Sequence, residues 1–499
     1  MIRISYRNLY RTNGVWWYEC ISSKAFSSSA SDYSEQAVPV GESPTLGSYS
    51  DIPKVHGLPI IGTINDWVSH RRKLDQLFQK RVAEYGPIYR EKIGFFSFAG
   101  ECVFTANPED WEAVCRAVEL RGNTSVRKGT WSTQAYTDET KRPGFISDLQ
   151  GDDYKRIKES VTSLMKPKEI ATNVPILSDV TDDFTKLLET RMNEDGVVEN
   201  IRQMVHMWTF ECGASIVFRT KLGILDPDNE DEKLIEVFNA SQTFFKHFGT
   251  LEFGAPHHKT KMTSVWREYR NALETLFGLT KYYFEKHGEY VTDKDCDLTD
   301  EERESIAMSI LVTASDTTAH TALWALIELS LNPDVQENLY EELTKSYSGG
   351  QLTYKNLQLP YLRGFMKEVF RMRPIIPFLN RILPNDLILS GYSVPAGTSV
   401  LMLLSAYDQN EVYTNASNVQ PERWKRQHRS ADHNSFTVLP FGFGQRSCLG
   451  RRLAENELYL FIAKMVYNYR IHPVKDYNTT FGLFATPEGE IDFRLEKRN

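Results

Sequence analysis

The chain is predicted to be mainly α-helical with small β-sheets, folded as a single large α-rich catalytic domain. Three observations predict this. Apolar residues recur at helical spacing through most of 152–346 and again over 360–373 and 448–469. Strand signals are short, cluster around Gly391-Tyr392 and Pro395-Ala396-Gly397, and never alternate with helices as βαβ units. The 499 residues are 41% hydrophobic and 25% charged, which excludes disorder, collagen and a polytopic membrane protein. No repeat of 20–50 residues is visible.

The elements follow in order. Within 1–31, Arg3, Arg7, Arg11 and Lys24 face a single acid, Glu19, and the stretch Ser22–Ser31 is rich in Ser and Ala. That composition fits a mitochondrial transit peptide. Arg7, Asn8, Arg11, Thr12 and Asn13 interrupt any secretory apolar core. No run of about 20 apolar residues exists, so no anchor helix is expected, which weighs against the endoplasmic reticulum. Polar residues 32–50 read as a linker, and 51–499 as the catalytic domain. Asp66 to Tyr85 reads as a helix stopped by Gly86-Pro87, and Ile88 to Val103 as short strands. Residues 121–150 read as a long loop. Helices then dominate 152–346, with breaks at Pro175, Pro227 and Pro256. Pro360 to Arg373 is another helix, Arg381 to Leu404 holds strands, and 405–447 is irregular. A last helix starts near Cys448 and runs to about Tyr469.

Charge and cysteine usage narrow the function. The net charge of -8 argues against nucleic acid as a partner. Six cysteines without a C-x-x-C pair exclude zinc ribbons and thioredoxin-type motifs, leaving mostly buried thiols in a reducing compartment.

Two segments carry chemistry. Thr299 and Glu302 form a capping box, and the helix behind them runs to about Leu331, roughly 48 Å. In its middle lies Thr313-Ala314-Ser315-Asp316-Thr317-Thr318, a polar cluster that is costly unless it faces water or a ligand. Its hydroxyls can bond back to i−4 carbonyls and bend the helix. The second segment, Phe441 to Gly450, reads F-x-x-G-x-R-x-C-x-G. Gly444 and Gly450 offer close approach and positive-φ freedom. A helix starting just after Cys448 aims unpaired N–H groups at the sulfur. Composition makes this five-position pattern a chance event in roughly one chain in ten thousand, so a buried Cys in a Gly-rich turn is a poor account of it.

This loop resembles the haem-binding loop of the cytochromes P450, a family whose haem iron takes a Cys thiolate. The resemblance covers roughly 50–499 and implies the P450 fold, with haem b between the long distal helix and the proximal Cys loop. It implies Cys448 as axial ligand, with Phe441, Gly444 and Gly450 shaping the loop and Arg446 pairing with a haem propionate. Glu368-Val369-Phe370-Arg371 is an E-x-x-R; alone it is weak, since Glu139…Arg142 and Glu199…Arg202 repeat it. Followed by Pro421-Glu422-Arg423-Trp424, it resembles the family's buried ion network of Glu368, Arg371 and Arg423. Asp316 and Thr317 match the acid–alcohol pair that passes protons to iron-bound oxygen, and Ala314 stands where the family commonly has Gly. Arg381 matches a propionate-binding Arg. Tyr154 and Lys158 hold the places of the family's W-x-x-x-R propionate contact, although Lys cannot form the bidentate fork of Arg.

The transit-like N-terminus and the double Arg of Cys448-Leu449-Gly450-Arg451-Arg452 resemble the mitochondrial class, and an invertebrate member within it. That class implies an adrenodoxin-like ferredoxin as partner, docked by Arg363 and Lys367 on one helix face together with Arg451 and Arg452. It also implies peripheral association with the matrix side of the inner membrane. The function implied is monooxygenation of a lipophile, sterol-like or xenobiotic, using O2 and electrons from NADPH through ferredoxin reductase and ferredoxin. A P450-type isomerase or lyase, or a haem-binding non-enzyme, are the alternatives; the Asp316-Thr317 pair and the docking positions weigh against both. Residues 121–150, Phe244, Phe245, Phe248, Ile310, Ile375–Leu379 and Phe481–Thr486 are the expected substrate-lining segments.

Overall fold

Where apolar residues follow the helical period, helices form. The computed structural model describes residues 46–498, apart from 60–61, 94–99, 121–129, 163–164, 254–255, 289–297 and 426–433. The expected transit peptide, 32–45 of the linker, Cys20 and Cys296 lie outside the described residues. Residues Leu46–Asn499 form one compact unit.

The chain opens with α1 (Ile64–Ser69), α2 (Leu74–Tyr85), β1 (Ile88–Lys92), β2 (Glu101–Thr105), α3 (Pro108–Leu120), α4 (Trp131–Thr140), α5 (Gly151–Thr162) and α6 (Pro167–Arg191). Next come β3 (Val197–Val198), α7 (Arg202–Phe218), α8 (Glu232–Phe253), α9 (Ser264–His287), α10 (Asp300–Leu331), α11 (Pro333–Thr344) and α12 (Pro360–Met372). The strands β4 (Leu379–Ile382), β5 (Leu387–Leu389), β6 (Tyr392–Val394) and β7 (Ser399–Met402) follow. The last helix α13 (Arg451–Asn468) leads into β8 (Tyr469–Pro473), β9 (Thr479–Phe481), β10 (Ala485–Pro487) and β11 (Phe493–Lys497).

Two apolar cores organise these elements. The larger one lies among the helices, and α10 runs through it, buried almost throughout from Ser305 to Ser330. The smaller one lines a sheet of order β1-β2-β7-β4. There β2 and β7 pair in parallel, with Val103 opposite Val400, and the other two pairings are antiparallel. The expected capping box closes the start of α10: Thr299 Oγ1 accepts from the Glu302 amide at 3.2 Å, and Glu302 Oε2 accepts from the Thr299 amide at 3.0 Å.

Three expectations are corrected. The helix expected over 66–85 is two helices, because the His70 ring engages the Asp66 carbonyl at 2.9 Å and the chain turns before α2. Pro175 does not break a helix but sits inside α6. It lies on the exposed face, where water can take the carbonyl its missing N–H leaves unpaired, while Val174, Leu177 and Val180 hold the buried face. The expected loop 121–150 contains α4, held by tertiary bonds: Trp131 Nε1 donates to the Leu251 carbonyl at 2.8 Å and the Ser132 amide to Glu252 at 3.0 Å.

Candidate active site

The Ser/Thr cluster of α10 and the Cys448 loop meet across a cavity of about 400 Å³. Thr317, Thr318 and Thr321 line it from α10, and Phe441, Gly442, Arg446 and Cys448 line it from the Cys loop. Phe370, Ile375, Ile376, Phe378, Leu379 and Leu483 make the apolar part of the lining. The three hydroxyls at 313, 317 and 321 donate back to the carbonyls of Ser309, Thr313 and Thr317 at 2.6, 2.9 and 2.9 Å. Each is satisfied without breaking α10, which stays helical throughout.

The Cys448 loop is folded back on itself. The Cys448 amide donates to the Phe441 carbonyl at 2.8 Å. Gly442 and Gly444 take φ of 67° and 71°, the left-handed region that other residues enter only with strain. Gly450 differs from expectation: its φ is −81°, so it supplies close approach rather than positive φ, and a Cβ there would lie 4.0 Å from the sulfur. The helix starts at Arg451 rather than just after Cys448, with Gly450 as its N-cap. Burial pushes the Cys448 thiol up; the N–H groups of Gly450 and Arg451 and the Arg451 charge oppose it. Cys102, Cys115 and Cys212 are buried, whereas Cys448 opens onto the cavity.

Arg381 and Arg446 are among the four arginines that line the same cavity, with Arg371 and Arg373. Arg381, on β4, is buried and donates to the Asn380 carbonyl at 2.8 Å. Arg446 donates to the Leu149 carbonyl at 2.7 Å and to Gln150 Oε1 at 2.9 Å, with its guanidinium 3.7 Å above the Tyr154 ring. Tyr154 and Lys158 are not part of the cavity lining. Both donate to the Gln445 carbonyl, each at 2.7 Å, and so fasten α5 to the Cys loop.

The three ion-network residues do come together. Glu368 is fully buried, and its carboxylate accepts from Arg371 Nη2 at 2.8 Å, Arg371 Nε at 3.0 Å and Arg423 Nε at 3.1 Å. It also accepts from Trp424 Nε1 at 2.7 Å and the Gln420 amide at 2.9 Å. A buried charge so completely bonded fixes geometry more than it adds stability. Gly364 lets α12 reach this turn, since a Cβ there would lie 2.5 Å from the Pro421 carbonyl oxygen. Trp424, Gln420 and Gly364 were not given roles from the sequence; only W following P-E-R hinted at one.

On the outer face of the same region, Arg363 is exposed and bonds Gln358 Oε1 at 3.3 Å. The Lys367 ammonium lies 5.3 Å from the Trp424 ring centre. Arg451 pairs with Glu455 at 3.0 Å, and Arg452 donates to the Met165 carbonyl at 2.9 Å. Tyr459 lies beside both Arg363 and Arg451, so α12 and α13 present them together.

Not every expected lining residue reaches the cavity. Ile375–Leu379, Gly482 and Leu483 do. Phe244 stacks with Phe145 and Phe248 at 5.4 Å each, and Phe245 packs on Phe484 at 5.6 Å, so these rings, with Ile310, belong to the helical core. Asp316 is also absent from the cavity wall. Its carboxylate lies between His206 Nδ1 at 3.0 Å and His320 Nε2 at 3.4 Å. Neither histidine was singled out in the sequence. His320 stands one helical turn from Asp316 and was legible as a neighbour; His206 is 110 residues away and was not.

A family model described as Cytochrome P450 matches residues 53–494. The chain belongs to the cytochrome P450 family. It is similar to "Cytochrome P450 10" of Lymnaea stagnalis, 26% identical over 90% of this chain and 86% of that one. It is also similar to the mitochondrial 1,25-dihydroxyvitamin D(3) 24-hydroxylase of Mus musculus, 27% identical over 85% and 84%. The mitochondrial cholesterol side-chain cleavage enzyme of Equus caballus is 28% identical over 91% and 92%. P450s are haem-thiolate monooxygenases, and this chain is an enzyme of that kind. Its cavity fits the cofactor: one accessible thiol opens onto it, a glycine leaves room at the sulfur, and the guanidiniums of Arg381 and Arg446 line it, able to bond carboxylates.

Proposed function

We propose that this P450 is a mitochondrial, ferredoxin-fed hydroxylase of a sterol-like lipophile. The observation that carries the reading is that Cys448 and Thr317 line one and the same cavity. Cys448 would hold the haem iron through its thiolate, which the Gly450 and Arg451 amides would stabilise. Arg381 and Arg446 would hold the propionates, while Tyr154 and Lys158 act one step back by pinning the loop that carries Arg446. Bound haem supplies the activation of O2, one atom of which enters the substrate while the other leaves as water. Thr317 holds a proton donor at the distal wall, and Asp316 relays protons to it. Ile375, Ile376, Phe378 and Leu483 exclude water and hold an apolar substrate.

The class assignment rests on the relatives and the N-terminus. Two of the relatives above carry "mitochondrial" in their names, and their names give vitamin D and cholesterol as what they act on. Residues 1–31 have transit-peptide composition, and among the described residues no helix is long and apolar enough to cross a membrane. Arg363, Lys367, Arg451 and Arg452 form the face offered to an acidic ferredoxin, on the matrix side of the inner membrane. Rim charges of this kind mainly steer encounter. The test is reconstituted turnover. Arg363→Gln with Lys367→Gln should raise the ferredoxin concentration for half-maximal NADPH oxidation and leave the substrate-induced spectral shift unchanged. Cys448→Ser should abolish the red-shifted thiolate band of the reduced, CO-bound protein. Turnover sustained by a microsomal flavoprotein reductase but not by a ferredoxin would overturn the class assignment.

A further inference from the structure

The acid beside Thr317 is held in an unusual setting. His206 on α7 and His320 on α10 each place one ring nitrogen against one Asp316 oxygen, at 3.0 and 3.4 Å. All three side chains are buried, and the two rings meet edge-on at 5.1 Å. The other groups facing the cluster are few. Gln242 of α8 approaches His206 Nδ1 at 3.5 Å, and Phe484 packs 5.7 Å from the His320 ring. Arg202 of α7 contributes positive field, but its guanidinium is bonded to Thr486 Oγ1 at 2.7 Å and to the Gly489 carbonyl at 2.9 Å.

Burial alone would raise the Asp316 carboxyl; the two imidazoles outweigh it and hold it well below the usual carboxylate range. Burial keeps His320 below its ordinary value, and the Asp316 charge opposes that shift. Its Nδ1 has no hydrogen-bond partner among the described residues. The three side chains could also be read as ligands, since their donor atoms lie within 4.8 Å of one another. The His206–Asp316 separation of 3.0 Å is a hydrogen-bond distance, and the His320–Asp316 separation of 3.4 Å is that of a looser ion pair.

We propose that His206 and His320 are positioning residues for this reaction: the two imidazoles set against the two Asp316 oxygens keep the acid charged and fixed in orientation on α10, next to Thr317 in the chain. The inference rests on the reading that Asp316 and Thr317 deliver protons. Without its donors a carboxylate at this depth takes up a proton and keeps it, and the relay stalls as it would with an amide.

The test uses haem-loaded, full-length protein labelled with 13C-aspartate. Infrared difference spectra at neutral pH should show no protonated Asp316 band in the wild type. The band should appear in His320→Leu and His206→Leu and vanish when Asp316→Asn is added. His320→Gln and His206→Asn keep an N–H at the matching position and should stay like wild type. Where a leucine variant fails to bind haem, the wild type decides: its Asp316 should remain ionised down to pH 5, and a protonated band already present at pH 6 overturns the proposal. Peroxide released per NADPH, with cholesterol as probe lipophile, separates the two readings. A several-fold rise in Asp316→Asn, matched by the leucine variants and not exceeded by the combinations, supports the proposal. A rise in Asp316→Asn alone overturns it and leaves the proton-delivery role standing. No rise in any variant removes that role, and this inference with it.

Discussion

Glu457→Gln should stabilise the protein, and only above mildly acidic pH. Glu457 lies on α13 with neither carboxyl oxygen bonded to any described residue, and burial pushes it up to about 8 from the ordinary 4.5. The folded state therefore binds a proton that the unfolded state has lost, so folding stability falls as pH rises between those two values. At about 1.4 kcal/mol per unit, the cost of keeping Glu457 buried is about 1 kcal/mol at pH 5, about 3 at pH 7 and about 4 at pH 8. A neutral amide of the same shape shares the burial cost but not the proton linkage. For the unit Leu46–Asn499, unfolding entropy is about 1 kcal/mol per degree, so each kcal/mol moves Tm by about 1 °C. Calorimetry of both proteins at one scan rate should show a Tm gap that widens from about 1 °C at pH 5 to about 4 °C at pH 8. A gap that stays constant across this range would mean that Glu457 finds a proton-independent partner, and would refute the reasoning.

Three further outcomes are expected. Glu368→Gln leaves the buried Arg371 guanidinium without its charge partner, which should cost about 3–5 kcal/mol and show as a lower Tm with faster haem loss; an unchanged Tm would mean the other Arg371 bonds suffice. Gly364→Ala drives a methyl to within 2.5 Å of the Pro421 carbonyl oxygen, so the turn carrying Arg423 and Trp424 must move, at about 1–3 kcal/mol; thermal unfolding checks it. Thr317→Ala should keep haem and substrate binding but raise peroxide released per NADPH, with product formation slowed by at most roughly 10²–10⁴-fold.

Much of this protein was determined by local sequence. The capping box at Thr299 and Glu302, the extent of α10, the turn chemistry of Phe441–Gly450 and the order E-x-x-R, P-E-R-W, Cys loop are all short-range patterns. A reader of the chain meets them in a few adjacent residues, because hydrogen bonds within a turn or one helical face depend on neighbours at i+3 and i+4. Tertiary structure decided the rest. Pro175 stays helical because one face of α6 is buried, and α4 forms because Trp131 and Ser132 find partners about 120 residues away. Tyr154 and Lys158 bond the Gln445 carbonyl, a backbone atom that no residue identity advertises. Gly450 keeps an ordinary φ because Gly442 and Gly444 already turn the loop. Asp316 and Thr317 are adjacent in sequence, but one helical step rotates them by about 100°. His320 lies one turn from the acid on α10 itself, but only the packing of α7 against α10 brings His206 to it.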